Sequence, residues 1–153
     1  MRLLLTGSML CLLSVATTLA QGDPFNGTWK LNLAKSQQTA LQAETLIYKV
    51  VGGEEDYTAD ITPSTGPPRK EHYVAKYNDG KWHPVHDVLT GKTTGSVMMV
   101  RIDSKSEIRI GRGADDTLGT TMLRVLSADG KGYTSTLIGR DGKITSVLFF
   151  DKQ

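Results

Sequence analysis

Ser96-Val97-Met98-Met99-Val100-Arg101-Ile102 and Glu107-Ile108-Arg109-Ile110, joined across Ser104-Lys105, are two strand-length runs rich in β-branched side chains. Thr117 to Leu126, Tyr133 to Ile138 and Ile144 to Phe150 continue the series. Gly111 to Asp116, Asp129-Gly130-Lys131-Gly132 and Asp141-Gly142 separate these runs. Such connections suit antiparallel neighbours only, because a parallel crossover takes about a dozen residues or more.

The same grammar extends towards the N-terminus. Thr28 to Leu33 alternates Trp29, Leu31 and Leu33 against polar residues; Thr45 to Val51 ends in Gly52-Gly53; Tyr57 to Thr62 alternates again. Pro67 and Pro68 make Pro63 to Pro68 a loop, since proline cannot donate to a ladder. Glu71 to Tyr77, the hairpin signal Asn78-Asp79-Gly80 and a Pro84-broken return at Lys81 to Val85 complete the series. Only part of Ala34 to Glu44 carries helical spacing. The expectation is an all-β fold: an antiparallel up-and-down barrel of about 8–10 strands, which leaves no exposed edge. A two-sheet sandwich is the alternative.

Residues 1–20 read as a cleaved secretion signal rather than as part of the domain. Arg2 supplies the charged start, Leu3 to Leu19 the apolar stretch, and Thr18-Leu19-Ala20 the small residues of a cleavage site near Ala20-Gln21. Residues 21–153 are then a single domain, secreted or periplasmic, with no membrane span after signal removal. Of these 133 residues, 31 are Val, Ile or Thr and 15 are Gly, matching many short strands and turns. Cys11 leaves with the signal, so the domain has no thiol chemistry. Its 17 basic and 16 acidic residues give no reason to expect nucleic acid as a partner.

Phe25-Asn26-Gly27-Thr28-Trp29-Lys30-Leu31-Asn32 resembles the opening strand of the calycin group, the lipocalins and fatty-acid-binding proteins. With Asp151-Lys152-Gln153 at the other end, the chain is also similar to uncharacterised lipocalin-like secreted bacterial proteins. Gly27 permits a tight entry, and the ring of Trp29 can plug one end of a barrel. The resemblance implies a late-strand arginine stacked on Trp29, Arg124 or Arg140, with Arg124 favoured. Departures limit what carries over. The lipocalin Thr-Asp-Tyr motif is missing from mid-chain, and Ile144 to Phe150 lacks the Arg-x-Tyr carboxylate clamp of fatty-acid-binding proteins.

No catalytic motif stands. Gly91-Lys92-Thr93 lacks the opening glycine of a P-loop, and neither Gly-x-Ser-x-Gly nor His-Glu-x-x-His occurs. His83, His86 and Asp87 are weak metal candidates, because on one strand the two imidazoles face apart. Arg101, Lys105, Arg109 and Arg112, interleaved with Asp103 and Glu107, read as a mixed-charge surface. Arg101 shares a face with Val97 and Met99, and Arg124 shares one with Met122 and Leu126. If those faces point inward, each guanidinium needs a partner, and a ligand carboxylate is one option.

The candidate ligand-contacting residues are therefore Arg101, Arg124, Met99, Met122 and Tyr73. The leading expectation is a non-enzymatic, cofactor-free barrel holding a small apolar or amphipathic molecule. A filled barrel acting as an interaction module through Trp82 and the Pro63 to Pro68 loop is the second. A metal-dependent hydrolase at His83 and His86 is the third.

Overall fold

A computed structural model describes residues 22–37 and 39–153; the signal reading of residues 1–20 lies outside them. Ten strands run in chain order: β1 (Gly27–Leu31), β2 (Leu41–Val51), β3 (Glu54–Pro63), β4 (Arg69–Lys76) and β5 (His83–Asp87) in the first half. β6 (Thr93–Arg101), β7 (Ser106–Gly113), β8 (Leu118–Leu126), β9 (Gly132–Ile138) and β10 (Ile144–Lys152) follow. Every strand pairs antiparallel with its sequence neighbours, and β1 also pairs with β10, closing the barrel. This is the expected all-β, up-and-down barrel, consistent with a lipocalin-like fold, and the sandwich is set aside. Among the described residues no helix is long and apolar enough to cross a membrane.

Alternation decides what faces inward. Along β3, Tyr57, Ala59 and Ile61 are buried while Asp56 and Asp60 are exposed. Along β6, Val97 and Met99 are fully buried, and Met98 and Val100 lie on the outer face, half-buried. The hairpin joining β2 to β3 turns on Gly52 and Gly53, whose φ values of 60° and 80° fit the two left-handed positions of a tight β-turn.

The helical spacing after Ala34 forms no helix among the described residues; the stretch contains a turn and a bridge of Gln37 to Val147 before β2 begins. One local expectation is corrected. Asn78-Asp79-Gly80 turns, but not as a tight hairpin between β4 and β5, which meet only at Glu71–Asp87 and His72–His86. The chain is drawn to β6 instead. Tyr77 bridges to Met99, the Asn78 amide donates to Met99 O, and Asn78 Oδ1 accepts from the Arg101 amide at 3.0 Å.

The two ends of the barrel differ. Register shifts occur in β2–β3, β5–β6, β7–β8 and β9–β10, and all four fall at the end where β2 starts and β3 finishes. Bulges of this kind twist the strand and re-aim its side chains. The opposite end is regular and plugged with aromatics. Phe25 and Trp29 are fully buried there, and the indole Nε1 donates to Phe25 O at 2.8 Å. Tyr133 packs edge-on to Trp29 at 5.0 Å and stacks on Phe150 at 4.7 Å.

Lys152 Nζ lies 4.9 Å from the Trp29 ring centre and donates to Pro24 O. The cation over the indole is therefore this lysine rather than Arg124, which lies over Tyr48 and Tyr57. The cause is register: Lys152 is the cross-strand partner of Trp29.

Trp29→Ala removes the plug and leaves a cavity the closed barrel cannot collapse to fill. It is expected to cost about 3–5 kcal/mol, read as a fall in the urea midpoint. A loss below about 1 kcal/mol would show that the plug is dispensable.

Candidate ligand-binding site

The barrel interior carries charge in a row set by register. Arg101 on β6, Glu107 on β7 and Arg124 on β8 are successive cross-strand partners, so plus, minus and plus stand side by side. Arg124 Nη1 donates to Glu107 Oε1 at 2.9 Å and lies 3.5 Å from Glu55 Oε1. Glu55, Glu107 and Arg124 are almost completely buried. Arg101 Nη2 lies 3.1 Å from Asp23 and 3.5 Å from Glu107, and its guanidinium packs against the rings of Tyr77 and Phe25. The mixed-charge surface expected of this segment is thus corrected. Glu107 and Arg101 point inward, and the apolar Ile108 and Ile110 occupy the outer face.

Proton counting constrains this network. Tyr73 donates its hydroxyl to Glu55 Oε1 at 2.6 Å, and Tyr77 Oη lies within hydrogen-bond reach of both Glu55 Oε2 and Glu107 Oε2. A tyrosine hydroxyl has one proton and cannot donate to two carboxylates at once. Both contacts are hydrogen bonds at once only when one of the two carboxyls carries a proton and donates it to Tyr77 Oη.

Electrostatics agree: burial first, then the nearby Glu107 charge, push the Glu55 carboxyl up to about 7. Below that pH Glu55 is neutral, and Asp23 and Glu107 balance Arg101 and Arg124. Burial likewise raises Tyr73 and Tyr77, which keeps both hydroxyls protonated.

Beside this network, towards the bulged end, lies a partly open cavity of about 210 Å³. Leu46, Ile61, Met122, Leu137, Leu148 and Phe150 supply its apolar wall. Glu44, Arg69, Glu71, Arg109, Arg124 and Ser135 bring polar groups to it. Of the residues singled out from sequence, Arg124 and Met122 border this cavity. Met99 and Tyr73 are fully buried without lining it, and Arg101 borders a separate shallow recess with Asp23 and Tyr77.

The partner that Arg101 and Arg124 need is internal, supplied by Glu107, Glu55 and Asp23. Sequence reasoning missed Glu44, Glu55, Glu107 and Arg109 as interior groups. The parity of Glu55 with Tyr57, Ala59 and Ile61 was the available signal.

The histidines separate. His83 Nε2 pairs with Asp79 at 3.1 Å, His86 Nδ1 with Thr93 Oγ1 at 3.2 Å, and Asp87 Oδ1 accepts from the Leu89 and Thr90 amides. Among the described residues no group of three or more His, Cys, Asp or Glu is placed to hold a metal ion. Trp82 is half-buried beneath the Arg112 guanidinium, 3.8 Å from its ring centre. Compared with protein-family models and with curated proteins, the chain matches none.

A carboxyl held protonated in the fold but ionised when unfolded binds more protons in the native state. Native stability therefore falls as pH rises from about 4.5 towards about 7, the unfolded and folded values for Glu55. Glu55→Gln keeps a donor for Tyr77 and an acceptor for Tyr73, and its urea midpoint is expected to vary less between pH 5 and 8 than that of the parent. An unchanged slope would place the shared proton elsewhere.

Proposed function

We propose that this protein binds a small apolar or amphipathic molecule in the bulged end of its barrel and carries out no covalent chemistry on it. The observation that carries this reading is the cavity of about 210 Å³, with an apolar wall and a few converging polar groups. An apolar cavity of ~150 Å³ accepts benzene, so the volume suits a molecule of about one ring with a short substituent. It falls below the ~300–1,000 Å³ of sites for larger ligands. The buried acids support binding over catalysis, since Glu55 and Glu107 spend their hydrogen-bonding capacity on Tyr73, Tyr77 and Arg124. The signal-like residues 1–20 support a secreted or periplasmic setting for this binding.

Indole, neutral and ring-sized, is the probe. Its addition is expected to shift the NMR methyl signals of Ile61, Leu137 and Leu148 together and in a saturable way, and Leu137→Trp, which fills the cavity, is expected to abolish the response. Absence of any shift, or shifts confined to the outer methyls of Ile108 and Ile110, would defeat the reading.

A further inference from the structure

The row of inward side chains next to the Arg101–Glu107–Arg124 row reads Met99, Arg109, Met122, Leu137 across β6 to β9. Register therefore gives Arg109 two methionines as cross-strand neighbours where Arg124 has a glutamate. The consequence is visible in its bonding. Arg109 Nε is buried without a hydrogen-bond partner, Nη1 meets only the weak acceptor Met122 Sδ at 3.6 Å, and the guanidinium lies 5.5 Å from the Tyr73 ring centre. Arg109 forms none of the ion pairs found among the described residues, yet it lines the cavity.

Charge counting around the cavity gives the same answer. Arg69 at the mouth is paired with Glu71 at 3.3 Å, and Arg124 is paired with Glu107. The remaining groups are Arg109 and Glu44, whose cross-strand partner is the apolar Ile61. Burial is the main influence on Glu44 and pushes its carboxyl up to about 7, with Glu71 raising it further and Arg124, Arg109 and Arg69 opposing. Below that pH Glu44 is neutral and the cavity carries one uncompensated positive charge. Arg109 is half-buried with its Nε buried and unpartnered, and an anion that accepts two of its N–H groups would satisfy it.

We propose that the cavity takes a ring-sized organic monoanion, a carboxylate above all, with its charged end on Arg109 and its apolar body against Leu46, Ile61, Leu137 and Leu148. This rests on the binding function proposed above and names its ligand class. Glu44 then makes the binding proton-dependent. While protonated it offers an O–H towards the cavity, and once ionised it sets a like charge in the same low-dielectric space. Affinity for an anion is expected to fall as pH rises through about 7, the value for Glu44. The other groups facing Glu44 are Glu71 and Arg69 from β4, Tyr57 from β3, Arg109 from β7, Arg124 from β8 and Tyr133 from β9. The arginines keep their charge through this range, and burial raises Tyr57 and Tyr133, which keeps both neutral.

Three probes of one shape test this: 3-phenylpropionate, 3-phenylpropionamide and 3-phenylpropylamine, titrated calorimetrically into the purified protein at pH 6 and pH 8. The carboxylate is expected to bind about tenfold more tightly than the amide at pH 6, as one charge-assisted pair would give. That preference is expected to shrink several-fold at pH 8. Arg109→Gln should erase the preference while sparing the amide, and Glu44→Gln should keep the preference and remove its pH dependence.

If the amide or the amine binds as well as the carboxylate, the anion assignment is overturned and the cavity-binding function stands. If none of the three binds, and indole does not either, both are overturned. The comparison of probes on the unaltered protein needs no variant to fold.

Discussion

Buried charge has to balance, and the interior of this barrel is organised by that requirement. Arg124 stands almost fully buried among tyrosines, where an isolated guanidinium would be prohibitive. Glu107 neutralises it, Arg101 would then leave an excess of positive charge, and Asp23 removes that excess from outside the strands. Glu55, the surplus acid, has its carboxyl pushed up by burial and shares Tyr77 with Glu107. The segment containing Asp23 and Phe25 is thereby tied to the barrel electrostatically as well as by its buried ring.

This network also divides the interior. On one side lie Phe25, Trp29 and the aromatic plug; on the other, the walls open into a cavity. The strands explain the division. Uninterrupted register at the plugged end brings large rings into contact, whereas four register shifts crowd the opposite end. A bulge places two residues opposite one, so inward side chains there no longer meet in a closed layer. Packing and opening are thus properties of the same ten strands, separated along their length.

The architecture was legible in the sequence because short β-rich runs and turn residues are local signals. The ten runs, from Thr28 to Phe150, correspond to the ten strands. The interior was not legible, because β6, β7 and β8 carry apolar residues on both faces. Ile108 and Ile110 made the outer face of β7 look like the inner one, so Glu107 and Arg109 read as surface charges. Only cross-strand pairing tells Arg109 from Arg124, since one meets methionine and the other glutamate. That information belongs to two strands at once and is absent from either alone. The Asn78-Asp79-Gly80 turn misled for a similar reason, because its attachments to Met99 and Arg101 are distant in sequence.

The pairing of β1 with β10 sets an order of events. Nine of the ten contacts around the ring join strands adjacent in the chain and can form as local hairpins. The tenth joins Trp29, Lys30 and Leu31 to Lys152, Asp151 and Phe150. It closes a loop of more than a hundred residues, the kind of contact whose entropy is met late in folding. Until then the meander has two open edges, and Trp29 lacks both the lysine above it and the Phe150 layer beside Tyr133. The clasp of the ring is also where the plug matures, so a chain still missing β10 has neither a sealed end nor a finished interior.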